Sequence, residues 1–256
     1  MFPGYAELEF DLAGALLSEV TQLFDEMEPA NLTVGNVGNV EEAAGVYALY
    51  RKSTGNLLYL GKAEGAKGLN NRLNRHLKKI DGREGITPSE VQFKAIRLFV
   101  FAAMDLEAAL IKHYGGPKNV PWNNSGFGSN DPGKERDTTK YKKGHFDTDH
   151  PIRLDASFVE FAPGAYAVSD IMQKLKDNLP YLLRFQRPSP SSKKSFEPEF
   201  LSMEVEIPHS NMTIREIVKL CVDGLPAGWK ATALPSHIIC YKNDTRKFPS
   251  GVTIAG

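Results

Sequence analysis

The sequence predicts an α+β fold: a small three-stranded antiparallel sheet flanked by helices, followed by a C-terminal α/β extension. Three observations carry this. Two short apolar runs, GVYALY from Gly45 and LLYLG from Leu57, flank a Ser53-Thr54-Gly55-Asn56 turn signal, the pattern of a hairpin. LNNRLNRHLKKI sets Leu69, Leu73, Leu77 and Ile80 on one face at helical spacing. Past residue 165, helix-like and strand-like segments alternate again.

In chain order, Leu12, Leu16, Leu17, Val20 and Leu23 mark an amphipathic helix that ends before Pro29, and Asn36, Gly38 and Asn39 a polar loop. The hairpin follows. A two-residue Thr54-Gly55 turn would pair Tyr50 with Tyr59 and leave Tyr47 on the face away from Tyr59, because side chains alternate along a strand. A site shared by Tyr47 and Tyr59 therefore needs an odd-length loop or a bulge. Next come the helix of Leu69 to Ile80, a strand from Phe93 to Phe101, and a helix from Leu106 to Tyr114 closed by Gly115, Gly116 and Pro117.

Residues 122–153, rich in Gly, Asn, Asp and Lys, read as an extended loop. Beyond them the expectations are a helix from Ile171 to Leu183 and a flexible Pro/Ser/Lys connection from Arg187 to Pro198. A strand from Phe200 to Ile207 precedes a helix whose start is marked by Thr213 and Glu216 in capping-box spacing, and Trp229 to Tyr241 is further strand. The division expected is an acidic helical segment 1–44, a domain 45–160, and a C-terminal α/β domain 165–256.

A formal net charge of zero hides a strong asymmetry. Residues 1–44 hold nine Asp/Glu and no Lys/Arg, whereas residues 45–153 hold nineteen Lys/Arg against eleven Asp/Glu. The middle of the chain is therefore suited to a polyanion. Cys221 and Cys240 are the only cysteines, too few for a disulfide framework, and no His/Cys group has zinc spacing. With no apolar run of eighteen residues and no leader pattern, a cytoplasmic protein without membrane contact is expected.

The two Gly/Tyr triplets, Gly45-Val46-Tyr47 and Tyr59-Leu60-Gly61, are followed by Arg72, His76, Glu107 and Asn123. With LNNRLNRHL, LEAALIKHY, WNNSGFG and NDPGKER, this constellation resembles the GIY-YIG nuclease superfamily, most closely its type II restriction endonucleases, from about Gly45 to about Asp155. The resemblance implies a metal-dependent endodeoxyribonuclease with Tyr47 as general base, His76 as its assistant, Tyr59 orienting phosphate, Arg72 stabilising charge and Glu107 as metal ligand. Asn123 is the last polar member, with Asn124 as an alternative.

The residue chemistry agrees with those roles. A lone carboxylate such as Glu107 suits one Mg2+ (or Mn2+) per active site, with the other positions taken by water and phosphate. A phenol ionises near pH 10 and is a weak base at neutrality, so Tyr47 needs help: His76, one helical turn beyond Arg72, as proton acceptor, and the positive field of Lys62, Arg72 and a metal to favour phenolate. Arg75 and Lys79 on the same helix, with Lys140, Lys142 and Lys143 in the long loop, are candidate DNA contacts.

The function expected is cleavage of duplex DNA at a specific sequence to 5′-phosphate and 3′-hydroxyl ends. The enzyme would act as a homodimer on DNA alongside a cognate DNA methyltransferase. A less specific nuclease targeted by residues 165–256, in phage defence, mobile-element movement or repair, is the alternative. A catalytically silent DNA-binding module is a third.

Overall fold

The computed structural model describes residues 3–4, 6–7, 9, 11–65, 67–99, 106–128, 133–189 and 195–256. The chain divides into two compact units, Met1–Leu77 with Pro88–Gly128, and Lys78–Thr87 with Ser129–Gly256. The acidic segment is thus part of the first unit, and residues 129–160 part of the second.

In the first unit, α1 (Leu12–Glu26) starts where the Asp11 carboxylate accepts the Gly14 amide at 2.8 Å. β1 (Ala30–Asn31) and α2 (Val34–Gly38) follow, so the expected polar loop contains a helical turn, capped by Thr33. Then come β2 (Gly45–Arg51), β3 (Leu57–Ala63), α3 (Gly68–Asp81), β4 (Val91–Arg97) and α4 (Leu106–His113). The end of the strand expected to reach Phe101 lies outside the described residues.

The sheet has four strands, not three, in the order β1-β4-β2-β3. The extra strand is Ala30–Asn31 pairing with Phe93 and Gln92, too short to register as a strand in sequence. One sheet face, bearing Val46, Ala48, Leu60 and Ile96, is covered by Val20 and Phe24 of α1 and Leu106 and Leu110 of α4. At about 25 cal/mol per Å² of apolar surface buried, this stripe rather than its carboxylates accounts for the docking of α1.

The second unit holds α5 (Phe146–Asp149), β5 (Gly164–Ala167), α6 (Val168–Asn178), β6 (Leu182–Phe185), α7 (Pro198–Ser202), β7 (Glu204–Ile207), α8 (Ile214–Asp223), β8 (Trp229–Leu234), β9 (His237–Lys242) and β10 (Val252–Ala255). A sheet ordered β10-β8-β9-β6 buries Ala231, Ala233, Ile238 and Cys240 against Ile171, Met172 and Leu175 of α6 and Ile217, Val218 and Cys221 of α8. The Thr213/Glu216 capping box forms as expected, and both cysteines are free and buried.

Prolines explain the departures from expectation. Pro180 separates α6 from β6 where a single helix to Leu183 was expected, since its ring cannot continue the turn. Pro198 sits in the first turn of α7, which replaces the first half of the expected strand at Phe200. Pro235 and Ser236 split Trp229 to Tyr241 into a hairpin. The expected loop 122–153 contains a 3₁₀ turn, Gly133–Thr138, and α5. Of the expected flexible connection, residues 190–194 lie outside the described residues.

Candidate active site

The first unit gathers the two tyrosines through a bulge. Across the hairpin Arg51 and Asn56 close a four-residue loop, and Tyr50 faces Leu57, but then Leu58 is extra and Leu49 faces Tyr59. Without that extra residue Tyr47 would face Leu60 and point away from Tyr59. With it, Tyr47 faces Gly61 and shares the face of Tyr59, their ring centroids 5.9 Å apart.

Both glycines of the triplets are required by close approach. A Cβ at Gly61 would stand 2.5 Å from the Tyr47 hydroxyl and 2.7 Å from the Tyr59 ring, and one at Gly45 would strike the Ile96 carbonyl oxygen. Glycine is thus the residue over which the Tyr47 ring can lie flat.

α3 covers this face through Leu69 and Leu73, which are buried, and carries His76 inward with them, 5% exposed. His76 Nε2 is 2.7 Å from the Tyr47 hydroxyl. With the imidazole neutral and Nε2 unprotonated, the phenol donates this bond. One turn earlier, Arg72 is half-buried, and its charge acts on both phenols. Glu107, half-buried in the first turn of α4, acts on both with the opposite sign.

The Tyr47 phenol is pushed well above its ordinary value, chiefly by burial and then by Tyr59, against the opposing pull of Arg72. Burial likewise raises Tyr59, with Glu107 adding to it. The Arg72 charge pulls toward phenolate, the direction expected of a cationic field, but in the buried Tyr47 desolvation outweighs it.

Lys62 departs from expectation as well. It faces Val46 in the ladder, so it leaves the sheet on the side away from both tyrosines, and its ammonium lies 3.3 Å from Glu64. Asn123, not Asn124, is the inward asparagine: its side chain accepts from the Leu60 amide and donates to the Leu60 carbonyl, both at 2.9 Å. It pins the edge of β3 instead of presenting its amide to a ligand. Asn124 is exposed, with φ of 61°.

Sequence reasoning missed Phe127. Its ring stacks on His76 at 4.6 Å and 13° and meets Tyr59 edge-on at 5.2 Å, while the adjacent Gly128 backbone abuts the Tyr59 hydroxyl. The only signal was a Gly-Phe-Gly triplet in a segment read as loop. Among the candidate DNA contacts, Arg75, Lys140, Lys142 and Lys143 are exposed, whereas Lys79 is half-buried with its ammonium 5.3 Å from the centre of the Phe146 ring.

Two tyrosines of one antiparallel hairpin, the histidine and arginine of α3 and the glutamate in the first turn of α4 thus interact within one unit. Residues 59–179 match the family model of the Eco29kI GIY-YIG domain, a match that implies an endodeoxyribonuclease. The match begins within β3 and ends just past α6. None of the curated proteins matches the chain. No described helix is long and apolar enough to cross a membrane.

No group of three or more His, Cys, Asp or Glu able to hold a metal occurs among the described residues. What the site offers is one carboxylate, Glu107, whose charge is felt by both phenols. Its hard oxygens suit Mg2+ or Mn2+ and leave the remaining positions to water and phosphate.

Proposed function

We propose that the protein is a divalent-metal-dependent, sequence-specific restriction endonuclease that hydrolyses duplex DNA to 5′-phosphate and 3′-hydroxyl ends. The observation that carries this reading is the 2.7 Å contact between the Tyr47 hydroxyl and His76 Nε2, inside a site flanked by Arg72 and Glu107. Such a pair moves a proton without forming free phenolate. As Tyr47 takes a proton from the attacking water, its own passes to His76, so the high phenol pKa is no obstacle.

Tyr59 would orient the scissile phosphate, and the Arg72 fork would bind the oxygens on which charge accumulates. Glu107 would hold the cation, which supplies charge neutralisation at the phosphate and the leaving 3′ oxygen. Lys62 and Asn123 have no part in the chemistry in this reading: Asn123 acts through the sheet edge, as a positioning residue. Tyr47 is sealed from solvent, so the reading requires the Phe127-Gly128 turn to yield when substrate docks. Since one site cuts one strand, duplex cleavage calls for two copies on a twofold-symmetric sequence.

Supercoiled plasmid incubated with magnesium tests this. Discrete linear fragments are the expected product, smearing would replace sequence specificity with a broader nuclease, and no product would leave a DNA-binding module. Glu107→Gln should reduce cleavage by at least about 10²-fold with duplex affinity retained. Full magnesium-dependent activity in that variant would remove Glu107 from the mechanism.

A further inference from the structure

In the second unit, the sheet face turned away from α6 and α8 has an apolar patch of Leu234, Ile239 and Tyr241 under Phe248. It then opens into a groove of about 400 Å³ lined by Lys230, Thr232, Arg246, Lys247, Phe248 and their neighbours. None of its lining residues is acidic. Lys230 and Thr232 alternate outward along β8, Thr253 of β10 faces Thr232, and Lys247 comes from the loop between β9 and β10.

Arg246 is fixed there. Its guanidinium binds the Asp244 carboxylate and sits over the rings of Tyr241, 5.2 Å away, and Phe248, 5.4 Å away. The two lysines are exposed and form no ion pair among the described residues. An uncompensated cation pair beside the exposed Thr253 in a concave surface is the chemistry that receives a phosphodiester.

A second observation points the same way. The amide of Tyr141 donates to Ser250 Oγ at 3.0 Å, and Ser250 Oγ donates to the Thr139 carbonyl at 3.3 Å. These bonds tie the segment bearing exposed Lys140, Lys142 and Lys143 to the loop that carries Arg246 and Lys247. The segment carrying the basic run read from sequence is thus anchored to the loop that lines the groove.

We infer that the C-terminal unit binds the phosphate backbone of the DNA substrate at this surface, with Lys230 and Lys247 as its principal contacts. The inference rests on the reading of the protein as a nuclease of duplex DNA, and it gives the C-terminal unit a share of the binding and none of the chemistry.

The test is equilibrium binding of the full-length protein to labelled duplex without divalent metal, across a salt series. The Lys230→Gln/Lys247→Gln variant should show a slope of log K against log salt shallower by about 1.8, at about 0.9 per phosphate contact. Lys230→Arg/Lys247→Arg should restore it. A Lys174→Gln/Lys219→Gln control, with the same change of charge elsewhere in the unit, should leave it unchanged.

An unaltered slope in the glutamine variant overturns the inference. So does an equal loss in the control, which would reduce the effect to net charge. Binding of inorganic phosphate that depends on the two lysines, with the duplex slope unchanged, would make the groove a small-anion site and also overturn it. A shallower slope in a protein that cuts no DNA would uphold the surface and defeat the nuclease reading alone.

Discussion

In the proposed mechanism Tyr47 and His76 act as one unit, and the direction of the Tyr47 shift says how. A phenol raised by burial stays protonated through neutral and moderately alkaline pH, so it cannot supply a base by ionising in advance. The proton must have somewhere to go at the moment of attack, and His76 Nε2 is 2.7 Å away. Tyr47→Phe should fold normally, since only a hydroxyl is lost, and slow single-turnover cleavage by about 10²- to 10⁴-fold. His76→Ala should be impaired across the neutral range, with recovery only at pH values above those at which an ordinary phenol ionises. A pH–rate profile of the variant checks this: uniform loss at every pH would mean that His76 merely packs under Phe127.

The hairpin decides whether these side chains can meet at all. Its two strands, the amphipathic α3 and the Glu107 helix were legible because apolar period and flanking glycines encode them locally. The bulge was legible only as a requirement. Leu58 looks like its neighbours, and which residue is extra is settled by pairing across the sheet. For the same reason Lys62 reads as part of the site by position in a motif, yet register sends it to the other face. Phe127 and the role of Asn123 were not legible, since each depends on contact with residues more than fifty positions away.

Three substitutions probe this geometry. Gly61→Ala keeps the ladder but forces a methyl into the Tyr47 hydroxyl, and overpacking of this kind costs about 1–3 kcal/mol. Cleavage should fall well beyond what the loss of stability explains. Asn123→Ala leaves the Leu60 amide and carbonyl unpaired at a buried edge, a cost of about 1–3 kcal/mol, whereas Asn124→Ala should be nearly silent. Thermal melting of both variants beside single-turnover rates would check this; equal behaviour of the two would contradict the assignment of Asn123 as the pin.

What holds the second unit's outer face is a buried carboxylate. Asp137 is fully buried and accepts from His237 Nε2 at 2.8 Å, from the Tyr241 hydroxyl at 3.0 Å and from Arg184, while Ser236 Oγ is hydrogen-bonded to the other nitrogen of His237 at 2.7 Å. Nothing in sequence announces this, because His237 and Tyr241 stand about a hundred residues away and Asp137 reads as one acid in a polar loop. Burial alone would raise the Asp137 carboxyl, but the bonds from His237, the Arg184 charge and the Tyr241 bond outweigh it and hold the group below its ordinary 3.8. A carboxyl lowered by folding binds fewer protons folded than unfolded. Its stabilisation is therefore full above the unfolded value near 3.8 and is lost as pH falls through the lower folded value. Asp137→Ala strands His237 and Arg184 and should destabilise the unit by about 3–5 kcal/mol at neutral pH. The two tryptophans fall in different units, Trp122 in the first and Trp229 in the second, so a Trp122→Phe background lets fluorescence follow the second unit alone. In that background, the difference in urea stability between parent and Asp137→Ala should shrink as pH falls below about 4. A difference that does not change under acid would mean that the variant suffers from lost packing and that Asp137 is not the charge on which the outer face is organised.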